Sequence, residues 1–304
     1  MRALVILNSH AGDNETQVLR DMLRHHFSAV RIEYEIHEVS RGDRLVEIVE
    51  RRLRDGVDLV VVAGGDGTVS EVSNCLAGRS TPLGIIPTGT GNLIARELNI
   101  PEETEAAIAL IANAPRTRKI DVMRIGKRVY ILNASIGISA SVIGGTTRKN
   151  KNRFGRIAYI GTAILEVLLS RPQHLVVEVD GKAHSYRAAE VAIMNCGLLG
   201  RMLYPRGPDI RIDDGYLGVW ILSIKTVWDY ARYLIGVIAG WAANPEAHFI
   251  KVKKIVSIRS NVPLLVQADG DIIGTTPVDV EILPGMLNVL VSEKPVPAQE
   301  YKAA

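Results

Sequence analysis

The chain has 304 residues, 47% hydrophobic and 23% charged, which is enough apolar material for two ordinary domains and too much for a disordered protein. A formal net charge of +3 sets up no global field that calls for nucleic acid, and two cysteines, Cys75 and Cys196, are too few for a disulfide framework. Charges as early as Asp13 and Glu15 argue against a secretion signal, and apolar stretches such as 233–243 fall short of the roughly 18 to 20 residues that span a bilayer. A reducing, cytoplasmic setting follows, with both cysteines in cores.

In chain order, residues 3–8, 31–39, 59–63 and 83–87 read as strands, and the last two are continuous aliphatic runs of the kind buried in parallel sheets. Residues 14–27 and 43–55 read as helices, the second with Leu45, Ile48, Val49 and Leu53 on one face. Alternating strand and helix predicts a doubly wound α/β domain over 1–122. Beyond Asp121 the pattern becomes β-rich: strands are expected at 129–135, 175–179, 188–195, 217–223 and 255–260, and helices at 155–170 and 226–240. A second domain over 123–286 is expected, with 287–304 packing back onto the first. Residues 295–304, with two prolines and no periodicity, are expected to form an ordered edge at best.

The strand at 59–63 runs directly into Gly64-Gly65-Asp66-Gly67-Thr68, at the carboxyl end where open α/β sheets bind ligands. Glycines admit phosphate oxygens to backbone N–H groups, and the helix that follows adds its positive end. Read as local structure alone, Thr68 is the N-cap and Glu71, three residues on, completes a capping box. A second loop, Pro87-Thr88-Gly89-Thr90-Gly91-Asn92, also joins an apolar strand to a helix. Its plain reading is a turn with Gly89 and Gly91 at positive φ and Asn92 as cap. No glycine stretch ends in Gly-Lys-Ser/Thr, and Ile94 stands where a dinucleotide-binding turn has its third glycine, which argues against P-loop ATPases and Rossmann dehydrogenases.

Phosphoryl transfer needs a divalent cation and a carboxylate to accept the nucleophile's proton. Asp213-Asp214-Gly215-Tyr216-Leu217 and Gln267-Ala268-Asp269-Gly270-Asp271 are the acidic glycine clusters of the second half, and each also reads as an ordinary Asp-Gly turn. Asp214 with nearby carbonyls suits magnesium, a hard cation that retains water ligands. The seven histidines show no His-x-x-x-His spacing for zinc.

These pieces, in this order, resemble the diacylglycerol-kinase catalytic family, which includes soluble bacterial lipid kinases and the sphingosine and ceramide kinases. The resemblance rests on residues 8–12, 64–68 and 87–96, on Asp121, and on residues 213–217 and 269–271. It implies a Rossmann-like N-terminal domain of phosphofructokinase or NAD-kinase type, a C-terminal β-sandwich, and an active site in the cleft between them. It places ATP among Asn8, Ser9, His10, Ala11, Gly12, Ser40, Gly65 to Glu71 and Thr90. It places Mg2+ at Asp214 with the main-chain oxygens of Arg211 and Tyr216, with Asp121 a further candidate. The proton acceptor is Asp271, Asp269 or Asp66. Ser9 replaces a usual proline, Leu93 a frequent aspartate, and Asp271 the commoner glutamate.

The expected activity is transfer of the γ-phosphoryl group of ATP to a membrane-lipid hydroxyl, diacylglycerol first. NAD kinase, which shares the Gly-Gly-Asp-Gly-Thr loop, is the nearest rival, and an inactive nucleotide- or lipid-binding regulator the rival from another class. Residues 148–156 gather five basic side chains. Arg148, Lys149, Lys151 and Arg153 around Phe154 are the expected peripheral contact with an anionic inner membrane face. A homodimer is compatible with the chain, and no nucleic-acid partner is expected.

Overall fold

The computed structural model describes residues 1–8, 13–113, 116–145, 172–198, 210–223, 228–229, 232 and 247–292. These divide into two units, one from Met1–Val122 with the described residues from Gly285 onward, the other Met123–Pro284. The helices expected at 155–170 and 226–240, the basic segment at 148–156 and the tail from 295 lie outside the described residues, apart from 228, 229 and 232.

In the first unit the order is β1 (Arg2–Leu7), α1 (Asp13–Ala29), β2 (Glu33–Glu38), α2 (Leu45–Arg54), β3 (Leu59–Gly64), α3 (Asp66–Leu76), β4 (Leu83–Pro87), α4 (Leu93–Glu97), α5 (Thr104–Ala112) and β5 (Arg116–Ile125), whose last residues enter the second unit. The sheet runs β2-β1-β3-β4 with every pair parallel. Strand β3 is central: Leu59 through Ala63 are fully buried, because helices cover both faces. Strand β2 lies at the edge and alternates charged with larger side chains. Its Glu35 pairs with Arg52 of α2 at 2.6 Å. The C-terminal part of β16 (Val278–Val291) adds beside β4, with Val289 opposite Leu83.

The second unit continues with β6 (Arg128–Tyr130), β7 (Asn133–Gly137), α6 (Ile138–Gly145), β8 (Gln173–Val179), β9 (Lys182–Ala188), β10 (Glu190–Met194), β11 (Leu217–Leu222), β12 (Ala247–Val252), β13 (Ile255–Ser260), β14 (Leu265–Ala268), β15 (Asp271–Thr275) and the start of β16. One antiparallel sheet has the order β12-β11-β10-β7-β14-β15. The other contains β16, β13, β8 and β9, again antiparallel. Ala134, Ile136, Val191, Ile193, Val219 and Ile221 of the first sheet share one buried cluster with Val177, Val256, Ile258 and Val280 of the second. This is the core of a sandwich.

Two predicted strands are each divided. The run at 129–135 is β6 and β7 with a turn between them, and 188–195 holds the end of β9 as well as β10. The first break has a distant cause: the Asp269 carboxylate accepts from the amides of Ile131 (2.8 Å), Leu132 (2.9 Å) and Asn133 (3.1 Å). Cys75 and Cys196 are both buried, as their composition suggested.

Candidate active site

Strand β3 ends at Gly64 and α3 starts at Asp66, so Gly65 is the N-cap, in extended backbone at φ −91° and ψ −179°. The predicted capping box is therefore displaced. Thr68 sits inside the first turn, where its hydroxyl accepts from Asn8 Nδ2 at 2.6 Å, and Glu71 lies one turn further, half-buried. That bond ties the end of β1 to the start of α3. The α3 amides face the sheet's carboxyl edge, and the N-cap Gly65 brings no side chain to them. Uncapped N–H groups and the helix dipole together make an anion site.

The second loop is locked onto the first. Asp66 accepts from the amides of Leu93 (3.1 Å) and Ile94 (3.0 Å), so one loop's carboxylate caps the other loop's helix. Asn92, at φ 47°, bonds back to Gly89 instead: Oδ1 accepts from the Gly89 amide at 2.9 Å and Nδ2 donates to its carbonyl at 2.8 Å. Thr88 N donates to Gly64 O at 3.2 Å. The positive φ expected at Gly89 and Gly91 falls on Asn92. The glycine is required for another reason, since a Cβ on Gly89 would stand 2.5 Å from Gly65 Cα. Backbone meets backbone there, and Thr88, Thr90 and Gly91 remain exposed at the edge with Gly67. Ser40 lies two residues past the end of β2, and its amide donates to Asp43 at 2.8 Å. With His37, which contacts the same carboxylate oxygen, this holds the Asp43 carboxyl below its ordinary value. Ser9, His10, Ala11 and Gly12 lie outside the described residues.

In the sandwich, Asp269 (φ 47°) and Gly270 (φ 89°) form a two-residue hairpin between β14 and β15, with Ala268 opposite Asp271. Both Asp269 oxygens face the three amides already named. Asp271 opens β15 and is exposed. Burial raises the Tyr130 phenol, Arg128 opposes this, and the Asp269 and Asp271 carboxylates add to it, so a weakly acidic hydroxyl lies within the field of both acids.

Asp214 stands in a tight turn: its Oδ1 accepts from Tyr216 N at 3.0 Å, its Oδ2 from Arg211 N at 3.3 Å, and its own amide donates to the Arg211 carbonyl. The Asp214 carboxylate and the Arg211 carbonyl are hard oxygen donors of the kind magnesium takes while keeping most of its water, and here each accepts from a backbone amide of the turn. Lys251 Nζ, 3.6 Å from Asp214 Oδ2 and 4.8 Å from the Tyr216 ring centroid, is the competing cation. Among the described residues no three His, Cys, Asp or Glu side chains gather as a metal cage. Asp121, 2% exposed, accepts from Gly285 N at 2.7 Å and joins the middle of β5 to β16 within the first unit.

A parallel α/β unit with paired glycine loops, followed by an antiparallel sandwich carrying Asp-Gly turns, defines a two-domain kinase architecture. Residues 2–125 match the diacylglycerol kinase catalytic domain, and residues 133–291 match the YegS C-terminal NAD kinase beta sandwich-like domain. The chain belongs to the diacylglycerol-kinase catalytic family. A diacylglycerol kinase of Staphylococcus aureus is 28% identical over 91% of this chain and 88% of its own length. An uncharacterised protein of Synechocystis is 28% identical over 94% of this chain and 69% of its own. A solved structure described as a diacylglycerol kinase from Bacillus anthracis superposes with a TM-score of 0.75 at 23% identity, covering 96% of this chain and 97% of that one, which is a likeness of fold.

Sequence reasoning passed over three polar residues at buried positions, Ser135, Glu190 and Gln267, each 6% exposed or less. A polar side chain inside an otherwise aliphatic strand is the signal that would have singled them out.

Proposed function

We propose that this protein is an ATP-dependent lipid kinase that converts diacylglycerol to phosphatidic acid. The observation that carries the reading is the interlock of the two glycine loops, in which Asp66 caps α4 and Gly65 meets Gly89. It holds the N-terminus of α3 and the exposed Thr90 and Gly91 at one edge suited to a polyphosphate. Asn8, Ser9, His10, Ala11, Gly12, Ser40, Glu71 and Thr90 complete the nucleotide contacts in this reading.

The lipid hydroxyl oxygen forms a bond to the γ-phosphorus, the bond from that phosphorus to the β-bridging oxygen breaks, and the hydroxyl proton passes to a carboxylate. Asp271 is the acceptor, because its carboxylate is exposed, whereas those of Asp66 and Asp269 face backbone amides. Asp214 with the carbonyls of Arg211 and Tyr216 would hold Mg2+, which supplies positive charge. Lys251 Nζ, 3.6 Å from Asp214 Oδ2, is the cation it would displace. Among the described residues no helix is long and apolar enough to cross a membrane. Access to lipid then requires adsorption, for which Arg148, Lys149, Lys151, Arg153 and Phe154 are the proposed contact.

A second reading, phosphorylation of NAD, is favoured by one observation, the NAD-kinase-like description of the matched sandwich. Transfer from γ-labelled ATP into a panel of extracted lipids with NAD included separates the two. Label in phosphatidic acid is expected, and label in NADP with none in lipid would replace the lipid-kinase reading.

A further inference from the structure

Three buried polar side chains lie on the face of the β7-β10-β14 sheet opposite the sandwich core. Gln267 of β14 stands directly across from Ser135 of β7, and Glu190 of β10, paired with Gly137, is Ser135's diagonal neighbour. Their exposures are 2%, 1% and 6%. Gln267 Nε2 donates to Ser135 Oγ at 2.8 Å, and the Glu190 carboxyl, one diagonal step away, is within the influence of the Ser139 and Ser135 hydroxyls and the Ile138 amide. Gln267 Oε1 in turn accepts from the Gly270 amide at 3.0 Å. Glu190 Oε2 also accepts from the Ser139 amide at 3.0 Å, at the start of α6, which packs over β14 and β15.

The polarity of this chain follows from hydrogen-bond inventory. A backbone amide only donates, so Gly270 N holds Gln267 Oε1 toward itself and Nε2 toward Ser135, whose oxygen accepts and whose own proton is left for the Glu190 side. A buried glutamate with no cationic partner among the described residues costs stability, and burial pushes its carboxyl up to about 7. A valine or threonine at 190 would extend the apolar face at no such cost, so the glutamate needs another explanation.

We infer that Glu190, Ser135 and Gln267 form a positioning relay that fixes the Asp269-Gly270-Asp271 hairpin, and through it the Asp271 carboxylate. The inference rests on the reading of Asp271 as proton acceptor. Gly270 is the only residue between the acid that anchors the 131–133 turn and the acid assigned to the proton, so its amide is the point at which the hairpin's height is set. Near-attack geometry tolerates little displacement, and about 1 Å of misplacement can cost roughly a hundredfold in rate.

The test uses the full chain with Ser135→Ala, Ser135→Thr, Gln267→Met and Asp271→Asn, each checked for cooperative unfolding. Amide exchange of Gly270 is read first, because it does not depend on activity: Ser135→Ala and Gln267→Met should speed it about tenfold or more, and Ser135→Thr, which keeps a hydroxyl, should not. With γ-labelled ATP and diacylglycerol in mixed micelles, the same two variants should lose about tenfold in kcat with KM for ATP within about twofold, and Ser135→Thr should recover most of it. In the Asp271→Asn background, adding Ser135→Ala should cost nothing further. Unchanged Gly270 exchange in Ser135→Ala overturns the relay, and faster exchange with normal kcat overturns its positioning role. Normal kcat in Asp271→Asn alone removes the proton-acceptor reading, while the exchange result still decides whether the relay holds the hairpin. If Gln267→Met fails to fold, the serine pair carries the test.

Discussion

Asp66 bonds through both carboxylate oxygens to the amides of Leu93 and Ile94, and this sets what its loss should do. Asn offers one acceptor oxygen in place of two, and charge-assisted bonds of this kind are worth about 1.5–3 kcal/mol each. Asp66→Asn should therefore raise KM for ATP by roughly tenfold or more, with the loops loosened and the core intact, as steady-state kinetics and thermal unfolding would report. Asp269 and Asp271 should separate in a different way. Asp269→Asn leaves at least one of the amides of 131–133 unpaired, so it should lower the melting temperature by several degrees. Asp271→Asn removes an exposed carboxylate and should lower kcat by two or more orders of magnitude with little change in melting temperature. Glu190 gives a pH dependence with a definite sign. Its carboxyl rises from 4.5 to about 7 in the folded chain, so the folded state holds a proton that the unfolded state has released across that window. Stability contributed by Glu190 is complete below the lower value and is lost as pH rises through the upper one. The wild type should thus lose melting temperature relative to Glu190→Gln on going from about pH 5 to about pH 8.

At the scale of elements, the parallel strands were legible because burial on both faces leaves an uninterrupted aliphatic run, as at Leu59 to Ala63. The edge strands β2 and β9 carry charged and polar side chains, and β9, of sequence Lys182-Ala183-His184-Ser185-Tyr186-Arg187-Ala188, has no apolar periodicity to read. The turn between β6 and β7 was illegible for another reason: the carboxylate that holds it lies 136 to 138 residues away, beyond any local window. The capping assignment at Thr68 failed, since Gly65 is the N-cap of α3 and Thr68 bonds to Asn8, whereas Asn92 does hold the N-cap position of α4 but turns its side chain back to Gly89. What the sequence did display was the glycine pattern, though not its use. Gly89→Ala would drive a methyl group to 2.5 Å from Gly65 Cα, and neither backbone can yield without parting the loops. The variant should fold, because the clash lies at the sheet's edge, and should lose at least tenfold in ATP affinity by calorimetry.

Over the whole molecule, the change from alternating helix and strand to strands alone marks two halves, and the family matches over residues 2–125 and 133–291 follow the same change of texture. The resemblance was carried by residues scattered from Asn8 to Asp271, so it was readable as an ordered set before any geometry was known. The buried relay of Ser135, Glu190 and Gln267 was not, because its members come together only when β7, β10 and β14 pair. For the basic segment at 148–156, charge and the need to reach a lipid are the argument. Replacing Arg148, Lys149, Lys151 and Arg153 by glutamine should weaken binding to anionic vesicles, with about 1 kcal/mol at stake for each charge near the surface. Added salt should reproduce the effect in the wild type.

The central claim is that the glycine-loop edge delivers a γ-phosphoryl group to a lipid hydroxyl. Its most direct test is a competition in which wild type and Asp271→Asn are incubated with γ-labelled ATP, diacylglycerol in anionic mixed micelles and NAD at matched concentration. Label should appear in phosphatidic acid with the wild type, fall by two or more orders of magnitude with the variant, and stay out of NADP. Label in NADP with none in lipid, or no transfer to either acceptor by a folded wild type, would contradict the account.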